Sequence, residues 1–287
     1  MILVTGATGH FGRLTIDFLL QKGVEANQIA ALVRSPEKAT DLQAKGIHII
    51  MGNYDEYDSL VRACRGVDKL LLVSGNDLSN RFSHHENMIK ATMEANVKHV
   101  IYTSGAHKAE NSTSLLWLFV EAHIKTERLL ETSGLSYTIL RNGLYMDLVP
   151  AFIGNALETG MIYLPTGEGK IGMALRSEMA EAAATVLASD GHENKIYTFV
   201  NTETFGYQNV ATYLSEITGK PIQYISPTKE KFMATLSTAG IHMPQEYVNI
   251  LLAQAQGEGD LASEDLVKLL GRKPMSLKPF LEQLYQS

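Results

Sequence analysis

The chain is poor in cysteine and has no long apolar run. Cys64 is its single cysteine among 287 residues, so no disulfide can form within the chain, as is typical of proteins from the reducing cytoplasm. No apolar stretch approaches the roughly 18 residues of a membrane span, and no basic segment precedes the first predicted strand as in a signal peptide. These absences predict a cytoplasmic protein without a membrane-spanning segment.

A basic surface and clustered metal ligands are also missing. The net charge is −6 at pH 7 with histidine neutral, whereas nucleic-acid-binding proteins usually present a basic face. His84 and His85 are adjacent and would point about 100° apart on a helix, so we interpret them as surface or core-edge residues. No set of residues has the spacing of a zinc or iron site. We therefore expect neither nucleic acid nor a metal ion as a partner.

Short apolar runs alternate with amphipathic segments through the first half of the chain. The runs predict buried parallel strands at residues 2–5, 29–33, 47–51, 69–73, 99–103 and 137–140. The segments between them predict helices at residues 11–22, 36–45, 57–64, 81–95 and 115–132. This alternation predicts an α/β fold with a Rossmann-like, doubly wound parallel sheet.

After Asn142 the alternation becomes irregular. Helices are predicted at residues 149–159, 177–189, 207–218, 229–239, 244–255 and 276–285, and short strands at residues 161–164, 196–200 and 222–225. We interpret residues 1–142 as the core, and residues 143–287 mainly as a smaller, mixed α/β substrate lobe with some segments that return to the core. The sequence leaves the oligomeric state open.

A glycine-rich turn follows the first predicted strand. Gly6, Gly9 and Gly12 form the pattern GxxGxxG between a strand and a helix, which is the context of a dinucleotide-binding loop. The first glycine permits the tight turn, the second lets a pyrophosphate approach the backbone, and the third packs the helix against the sheet. The phosphates would lie at the positive end of the helix.

The second predicted strand ends in an arginine. A carboxylate at this position accepts hydrogen bonds from the ribose of NAD, whereas an arginine pairs with the 2′-phosphate of NADP. The guanidinium of Arg34 suits a phosphate, and Lys38 follows as a second cation. The sequence therefore predicts NADP(H) in preference to NAD(H), with a solvated strand-end charge as the alternative role of Arg34.

The ends of the next two predicted strands lie at the same edge of the sheet. Ligands bind at the carboxyl ends of the strands in such sheets. We therefore expect Asn53 or Tyr54 to contact the adenine, and the backbone at Ser74 and Gly75 to pass the ribose and phosphates of the cofactor.

Five segments together resemble a known family. The stretches VTGATGHFG, ALVRSPEKA, GVDKLLLVSG, VKHVIYTS and GLSYTILRNGLYMD are similar to the NmrA-like branch of the atypical short-chain dehydrogenases/reductases, above all to its bacterial NADPH-dependent quinone reductases and triphenylmethane dye reductases. The similarity extends over essentially the whole chain. It implies NADPH at the edge of the Rossmann core and an aromatic acceptor in a cleft under the C-terminal lobe.

The resemblance also assigns further residues to the cofactor site, in the loop, at the helix start and at the ends of the fifth and sixth strands: Thr8, His10, Phe11, Thr103, Ser104, Leu140, Arg141 and Asn142. The first three would lie beside the phosphates and the next two near the nicotinamide ribose. The last three lie where the family places the nicotinamide ring. For Arg141 a structural bridge to a carboxylate is equally open.

The Tyr–Lys pair of ordinary short-chain dehydrogenases is missing. Family spacing counted back from Glu127 places Phe119 where the tyrosine is expected and His123 where the lysine is expected. Lys125 is out of phase with that position. His123 is thus the candidate catalytic residue, which would protonate a reduced acceptor; the alternative is a histidine that orients the cofactor or simply packs.

Two interpretations of this absence are open. In the first, the acceptor needs a hydride but little proton assistance, as quinones and cationic dyes do, and positioning supplies most of the rate. Trp117, Phe119 and Tyr145 could then stack on the aromatic acceptor, and Asn142 would contact it as well. In the second, the protein is a non-catalytic NADP(H)-binding redox sensor of the NmrA type.

Overall fold

A seven-stranded parallel sheet forms the centre of the structure, a computed structural model that describes residues 1–286. The strands are β1 (Ile2–Val4), β2 (Ile29–Val33), β3 (His48–Met51), β4 (Lys69–Leu72), β5 (His99–Gly105), β6 (Ser136–Asn142), β7 (Leu144–Tyr145), β8 (Met161–Tyr163), β9 (Met173–Ala174), β10 (Lys195–Phe199) and β11 (Gln223–Ile225). The central sheet has the order β10-β6-β5-β4-β1-β2-β3. The strand order reverses between β1 and β4, which confirms the predicted doubly wound α/β fold.

Helices flank this sheet and build the rest of the chain. They are α1 (His10–Gln21), α2 (Thr40–Ala44), α3 (Tyr57–Cys64), α4 (Arg81–Glu94), α5 (Trp117–Thr132), α6 (Val149–Ile153), α7 (Ala156–Thr159), α8 (Arg176–Ala188), α9 (Tyr207–Thr218), α10 (Lys229–Thr238), α11 (Gln245–Ala255), α12 (Asp265–Leu270) and α13 (Leu277–Tyr285). None of these helices in residues 1–286 combines the length and hydropathy that a bilayer span requires.

The inner strands of the central sheet are buried on both faces because they are continuous apolar runs, whereas the edge strands β3 and β10 are partly exposed. Every residue of β2 is buried. Successive side chains of β1 point to opposite faces, so Leu3 packs towards α3, α4 and α5, while Val4 packs towards α1 and α8. These two cores fix the ends of the strands, where the glycine-rich loop and the other candidate site residues lie.

A second core holds together the C-terminal lobe, which we define as α6, α7, α9, α10, α11, α13 and the parallel pair β8–β11. Other segments of the second half belong to the central sheet. β10 extends that sheet beside β6, and α8 packs on α1. The second half of the chain therefore supplies both the lobe and one edge of the sheet.

The sequence prediction differs from the structure at five places. The helix predicted at residues 149–159 is divided into α6 and α7 because Gly154 adopts a positive φ of 54°. The segment predicted as a helix from residue 36 begins with a 3₁₀ turn, Pro36–Ala39, before α2. The two-residue strands β7 and β9 and the six-residue helix α12 were not predicted, because they are too short for a repeating apolar pattern to be recognised.

Candidate active site

The three glycines of the first loop have separate structural roles. Gly6 adopts a positive φ of 58°, which favours glycine. A Cβ at Gly12 would lie 2.5 Å from the carbonyl oxygen of Gly6, so only glycine lets α1 start this close to the loop. A Cβ at Gly9 would meet only that same oxygen, at 3.2 Å. The side of the loop at Gly9 is therefore open, as the approach of a pyrophosphate requires.

Helix α1 begins directly after this loop and has no side-chain cap. Gly9 is its N-cap residue, and the first turn contains no acidic residue. The first backbone N–H groups of a helix have no partner within it and carry a partial positive charge, so they fit an anion. His10 is exposed beside them. The side chain of Phe11 is buried in the core, so only its backbone faces the loop.

The segment after β2 carries the two predicted cations. A third cation, Arg13, connects this segment to the glycine-rich loop. Arg34 and Lys38 are exposed. Arg13 donates from Nε to the carbonyl of Thr8 at 3.2 Å and from Nη2 to the carbonyl of Lys38 at 2.5 Å, and it pairs with Asp41. Sequence reasoning missed Arg13, which joins the predicted phosphate loop to the predicted 2′-phosphate site.

The residues predicted near the adenine lie in the loop after β3. Asn53 holds a turn there, since its side-chain oxygen accepts a hydrogen bond from the backbone of Asp55 at 3.3 Å. The ring of Tyr54 stacks on His84, with ring centroids 5.5 Å apart, and burial raises the pKa of Tyr54 to about 12. This loop forms the rim of the sheet next to Arg34, whose charge acts on Tyr54.

A cavity of about 370 Å³ lies at the carboxyl ends of β4, β5 and β6, between the sheet and α11. Eight of the residues predicted for the cofactor or the acceptor are in its wall: Ser74, Gly75, Thr103, Ser104, Phe119, His123, Asn142 and Tyr145. The α11 side contributes Tyr247, Ile250 and Gln254. The fold thus brings predicted residues from four separate parts of the chain to one cavity.

Of the residues predicted near the nicotinamide or the acceptor, three are not in this wall. Leu140 is fully buried in the core, and Trp117, the first residue of α5, does not line the cavity. Arg141 forms a bidentate ion pair with Glu127, with Nε 3.1 Å from Oε1 and Nη2 2.5 Å from Oε2. The geometry therefore favours the structural bridge for Arg141, and it does not support Trp117 as an acceptor-stacking residue.

Two polar atoms of the cavity residues are enclosed and have no hydrogen-bond partner among residues 1–286. They are Oγ of Ser74, after β4, and Oδ1 of Asn142, at the end of β6. Buried polar groups are nearly always hydrogen-bonded. A ligand with polar groups at the carboxyl ends of β4 and β6 would satisfy both atoms. Together with the open phosphate loop, these atoms fit a dinucleotide laid across the sheet edge.

A chain of buried polar side chains starts at this cavity and runs into the core behind it. Nη1 of Arg81 is 3.4 Å from Nε2 of His123, and Nδ1 of His123 is 2.7 Å from the hydroxyl of Tyr102. That hydroxyl is 3.3 Å from Nδ1 of His85, which lies 2.9 Å from Thr126. His85 was expected at the surface or the core edge; this expectation is wrong, because its side chain is almost completely enclosed.

The surroundings of His123 keep its ring neutral. Arginine has no acceptor atom, so Arg81 donates to Nε2, and the ring proton of His123 then lies on Nδ1 and points to Tyr102. Burial and the charge of Arg81 hold the pKa of His123 well below its ordinary value. A neutral ring whose two nitrogens are both engaged is a poor proton donor. The geometry therefore favours the alternative role, a packed histidine that positions the cavity wall.

The cavity is closed on one side by a contact between two loops. Glu258 accepts hydrogen bonds from the hydroxyl of Ser114 and, at 3.2 Å, from the backbone N–H of Leu115. Lys108 donates to the carbonyl of Gly257 at 2.9 Å. The two loops thus hold α11 over the end of α5. No group of His, Cys, Asp or Glu residues in positions 1–286 is arranged to hold a metal ion.

The open glycine loop, the uncapped start of α1 and the cavity at the strand ends are typical of a dinucleotide-binding α/β protein with a second, mostly apolar compartment beside the cofactor site. The chain belongs to the NmrA-like family, whose sequence pattern matches residues 1–284. The resemblance inferred from the sequence is therefore confirmed.

Three comparisons show which members of this family are similar. Quinone oxidoreductase 2 of Escherichia coli is 37% identical over 289 residues, which cover 99% of each chain. The crystal structure of the NADPH-dependent quinone oxidoreductase from Escherichia coli with NADPH has a TM-score of 0.90 at 36% identity, covering 99% of this chain and 100% of the other. The triphenylmethane reductase of Citrobacter sp. complexed with NADP(H) has a TM-score of 0.87 at 37% identity, covering 99% of each chain.

Proposed function

We propose that this protein is an NADPH-dependent oxidoreductase that transfers a hydride to quinone-like or dye-like aromatic acceptors. The observation that carries the proposal is the composition of the cavity. Its sheet side presents unpartnered polar atoms at Ser74 and Asn142, and its opposite side presents rings and apolar groups such as Phe119 and Tyr247. A dinucleotide suits the first side and a flat aromatic molecule the second. The activities named for the similar proteins support the same conclusion.

The bound NADPH would supply the hydride, and the chain's own residues would supply position and exclusion of water. The N–H groups at the start of α1 would hold the phosphates, Ser74 would contact the ribose and phosphates, and Asn142 would orient the nicotinamide end. Phe119 and Tyr145 confine the acceptor beside it. Phe119 occupies the position of the tyrosine that usually donates a proton. The site therefore suits an acceptor that needs no proton in the hydride-transfer step.

We further propose that NADP(H) is preferred over NAD(H). Arg34 and Lys38 are exposed at the end of β2, where the 2′ position of the adenosine ribose lies in this fold. Arg13 holds the Lys38 segment against the phosphate loop. The single cysteine, Cys64, is buried and free, which supports the proposal of a reducing, cytoplasmic location.

A second candidate function is a non-catalytic NADP(H) sensor. It is favoured because Phe119 stands in place of the usual catalytic tyrosine and a neutral His123 in place of the usual lysine.

The two functions are separated by measuring NADPH oxidation without oxygen, against a panel of quinones and cationic triphenylmethane dyes, alongside NADPH affinity. We expect turnover with members of both acceptor classes. Tight NADPH binding without turnover on any acceptor would favour the sensor and contradict the reductase.

A further inference from the structure

Arg81 is a buried cation without a charged partner. It is the first residue of α4, and only 8% of its surface is exposed. Within residues 1–286 its hydrogen-bond partners are two backbone carbonyls and the neutral ring of His123. Burial of an unpaired charge is costly, and it is unusual in a protein unless the charge has a task.

The guanidinium is held rigidly and has one nitrogen to spare. Nε donates to the carbonyl of Gly75 at 2.8 Å, and Nη1 donates to the carbonyl of Phe119 at 3.0 Å and to His123. Nη2 has no hydrogen-bond partner in residues 1–286, and it is not among the enclosed unpartnered atoms of that part of the chain. Arg81 belongs to the cavity wall, and we infer that the unpartnered Nη2 is the nitrogen that faces the cavity.

The nearby carboxylates are occupied elsewhere. Asp77 accepts hydrogen bonds from the backbone of Ser79 and from Asn80. Glu258, in the same cavity wall, is bound to the loop at Ser114 and Leu115. Burial lowers the pKa of Arg81, but a guanidinium remains protonated in proteins. The cavity wall therefore contains a fixed positive charge that forms no ion pair within residues 1–286, although the charge of Asp77 acts on it from a distance.

This inference rests on the proposed hydride transfer. We propose that Arg81 binds the oxygen of a quinone acceptor that becomes negatively charged during reduction. A quinone that takes the hydride on one carbonyl oxygen gains an O–H bond there and two electrons, while the C–H bond at C4 of the nicotinamide breaks. The opposite oxygen becomes an oxyanion, and a proton from water then converts it to a hydroxyl. NADPH, quinone and one proton thus give NADP⁺ and hydroquinone.

A charge fixed in advance at the position of the developing negative charge is an effective stabiliser of such an oxyanion. The three hydrogen bonds from Nε and Nη1 hold the guanidinium, so little reorganisation is needed when the charge develops. A cationic dye behaves in the opposite way, because it loses its charge when it accepts a hydride. Arg81 would repel such a dye before reduction and gain no contact afterwards. Arg81 is therefore proposed as a catalytic residue for quinones that does not assist dyes.

The first test compares quinone and cationic dye as acceptors for the full-length protein. In Arg81→Gln we expect kcat for a quinone to fall about 100-fold, the KM for the dye to fall, and the Kd of NADPH to stay within about twofold. Arg81→Lys, which keeps the charge, should restore part of the quinone activity. Arg62→Gln, at an exposed position outside the cavity wall, is the matched control and should leave kcat and KM unchanged for both acceptors. Equal losses on both acceptors, or loss of NADPH binding, would overturn the proposal.

The second test needs no turnover. A nitrophenol is titrated by its visible absorbance in the presence of the NADP⁺-loaded protein. We expect its pKa when bound to fall by about 1–3 units, because a fixed cation within 4–6 Å favours the phenolate. The nicotinamide ring of NADP⁺ also carries a positive charge, so we expect Arg81→Gln to reduce this shift and not to abolish it. Of the other groups in the wall, His123 has a pKa that burial holds well below its ordinary value, and Glu258 would shift the pKa of the nitrophenol upward.

The two tests separate this inference from the proposed function. A pKa shift without turnover on any acceptor would retain Arg81 as an anion-binding residue and contradict only the reductase. Turnover of quinones with no pKa shift in the bound nitrophenol would retain the reductase and overturn the role of Arg81. Should Arg81→Gln fail to fold, as judged by thermal unfolding, the titration of the unmodified protein and of Arg81→Lys decides the question.

Discussion

The two sides of the cavity are built in different ways. On the sheet side, each element is a short continuous segment: a strand, the turn after it and the start of a helix, as in Gly6 to Gly12. On the other side, residues from α5, from β7 and from α11 meet across more than a hundred positions of sequence, and the contact of Glu258 with Ser114 holds them together. The first side follows from local geometry, and the second depends on how the C-terminal lobe packs. The predictions below test this contrast, beginning with the largest effect.

Two glycines of the phosphate loop should respond differently to substitution, because a side chain has space at Gly9 but none at Gly12. In Gly9→Val we expect NADPH binding to be lost while the protein stays folded, because the branched side chain would occupy the approach of the pyrophosphate and meet only the carbonyl of Gly6. In Gly12→Ala we expect a loss of stability instead, because the new Cβ would lie 2.5 Å from that carbonyl oxygen. Calorimetric NADPH titration and thermal unfolding of both variants measure the difference. Normal NADPH binding by folded Gly9→Val would contradict the assignment of the loop.

The choice of cofactor should depend on Arg34. A charge-assisted contact with the 2′-phosphate contributes about 1.5–3 kcal/mol, so Arg34→Ala should weaken NADPH binding about 10–100-fold and leave NADH binding nearly unchanged. The comparison of the two Kd values is the measurement, with Arg62→Ala as an exposed control. Equal losses for both cofactors would make Arg34 a structural residue.

The acceptor side should respond through KM. Phe119 lines the cavity and offers no proton, so Phe119→Ala should raise the KM of the acceptor about tenfold, more than it lowers kcat. Its neighbour Leu118 is 52% exposed and outside the wall, so Leu118→Ala is the matched control and should have no effect on KM. Steady-state kinetics at saturating NADPH measure both. A fall in kcat alone for Phe119→Ala would contradict its role as binding surface.

The buried histidines behind the cavity should make stability depend on pH. Burial lowers the pKa of His85 from its ordinary 6.5 to about 3, and His123 is shifted the same way. Between these values the unfolded chain binds protons that the folded protein does not, so stability is full above pH 6.5 and falls as the pH decreases towards 3. Each such histidine contributes a slope of up to about 1.4 kcal/mol per pH unit.

The slope can be assigned by substitution. In His85→Asn, urea unfolding at a series of pH values should show a slope smaller by about one proton. In His48→Asn, which alters an exposed histidine, the slope should stay as it is. An unchanged slope in a folded His85→Asn protein would show that His85 is already charged in the native state, against the geometry described above.

How much of this could be predicted from the sequence follows the same division between the two sides. The strands, the glycine loop and the cavity positions of Phe119 and His123 were predicted because each depends on a local period or on family spacing. The polar chain behind them was missed, although a signal existed. Arg81, His85, Met88 and Ile89 recur at helical spacing on the buried face of α4, so two polar residues stand where an apolar stripe is expected.

Other features have no local signal. The contact of Glu258 with Ser114 joins residues 144 positions apart, and the wall formed by Tyr247 and Gln254 depends on the docking of α11. The pairing of Arg141 with Glu127 was open for the same reason, because it depends on how α5 lies against β6. Tertiary packing decides these features, in the lobe for the first two and between α5 and β6 for the third, and no local sequence pattern indicates it.

The central claim, direct hydride transfer to an aromatic acceptor, is tested most directly by isotope transfer. The protein is incubated without oxygen with a cationic triphenylmethane dye and NADPH carrying deuterium at one of the two C4 positions of the nicotinamide, each stereoisomer in turn. Direct transfer in a fixed geometry predicts that one stereoisomer delivers its deuterium to the central carbon of the reduced dye and the other does not, as mass spectrometry would show. Reduced dye without deuterium from either stereoisomer, or no reduction of any dye or quinone while NADPH binds tightly, would contradict the claim.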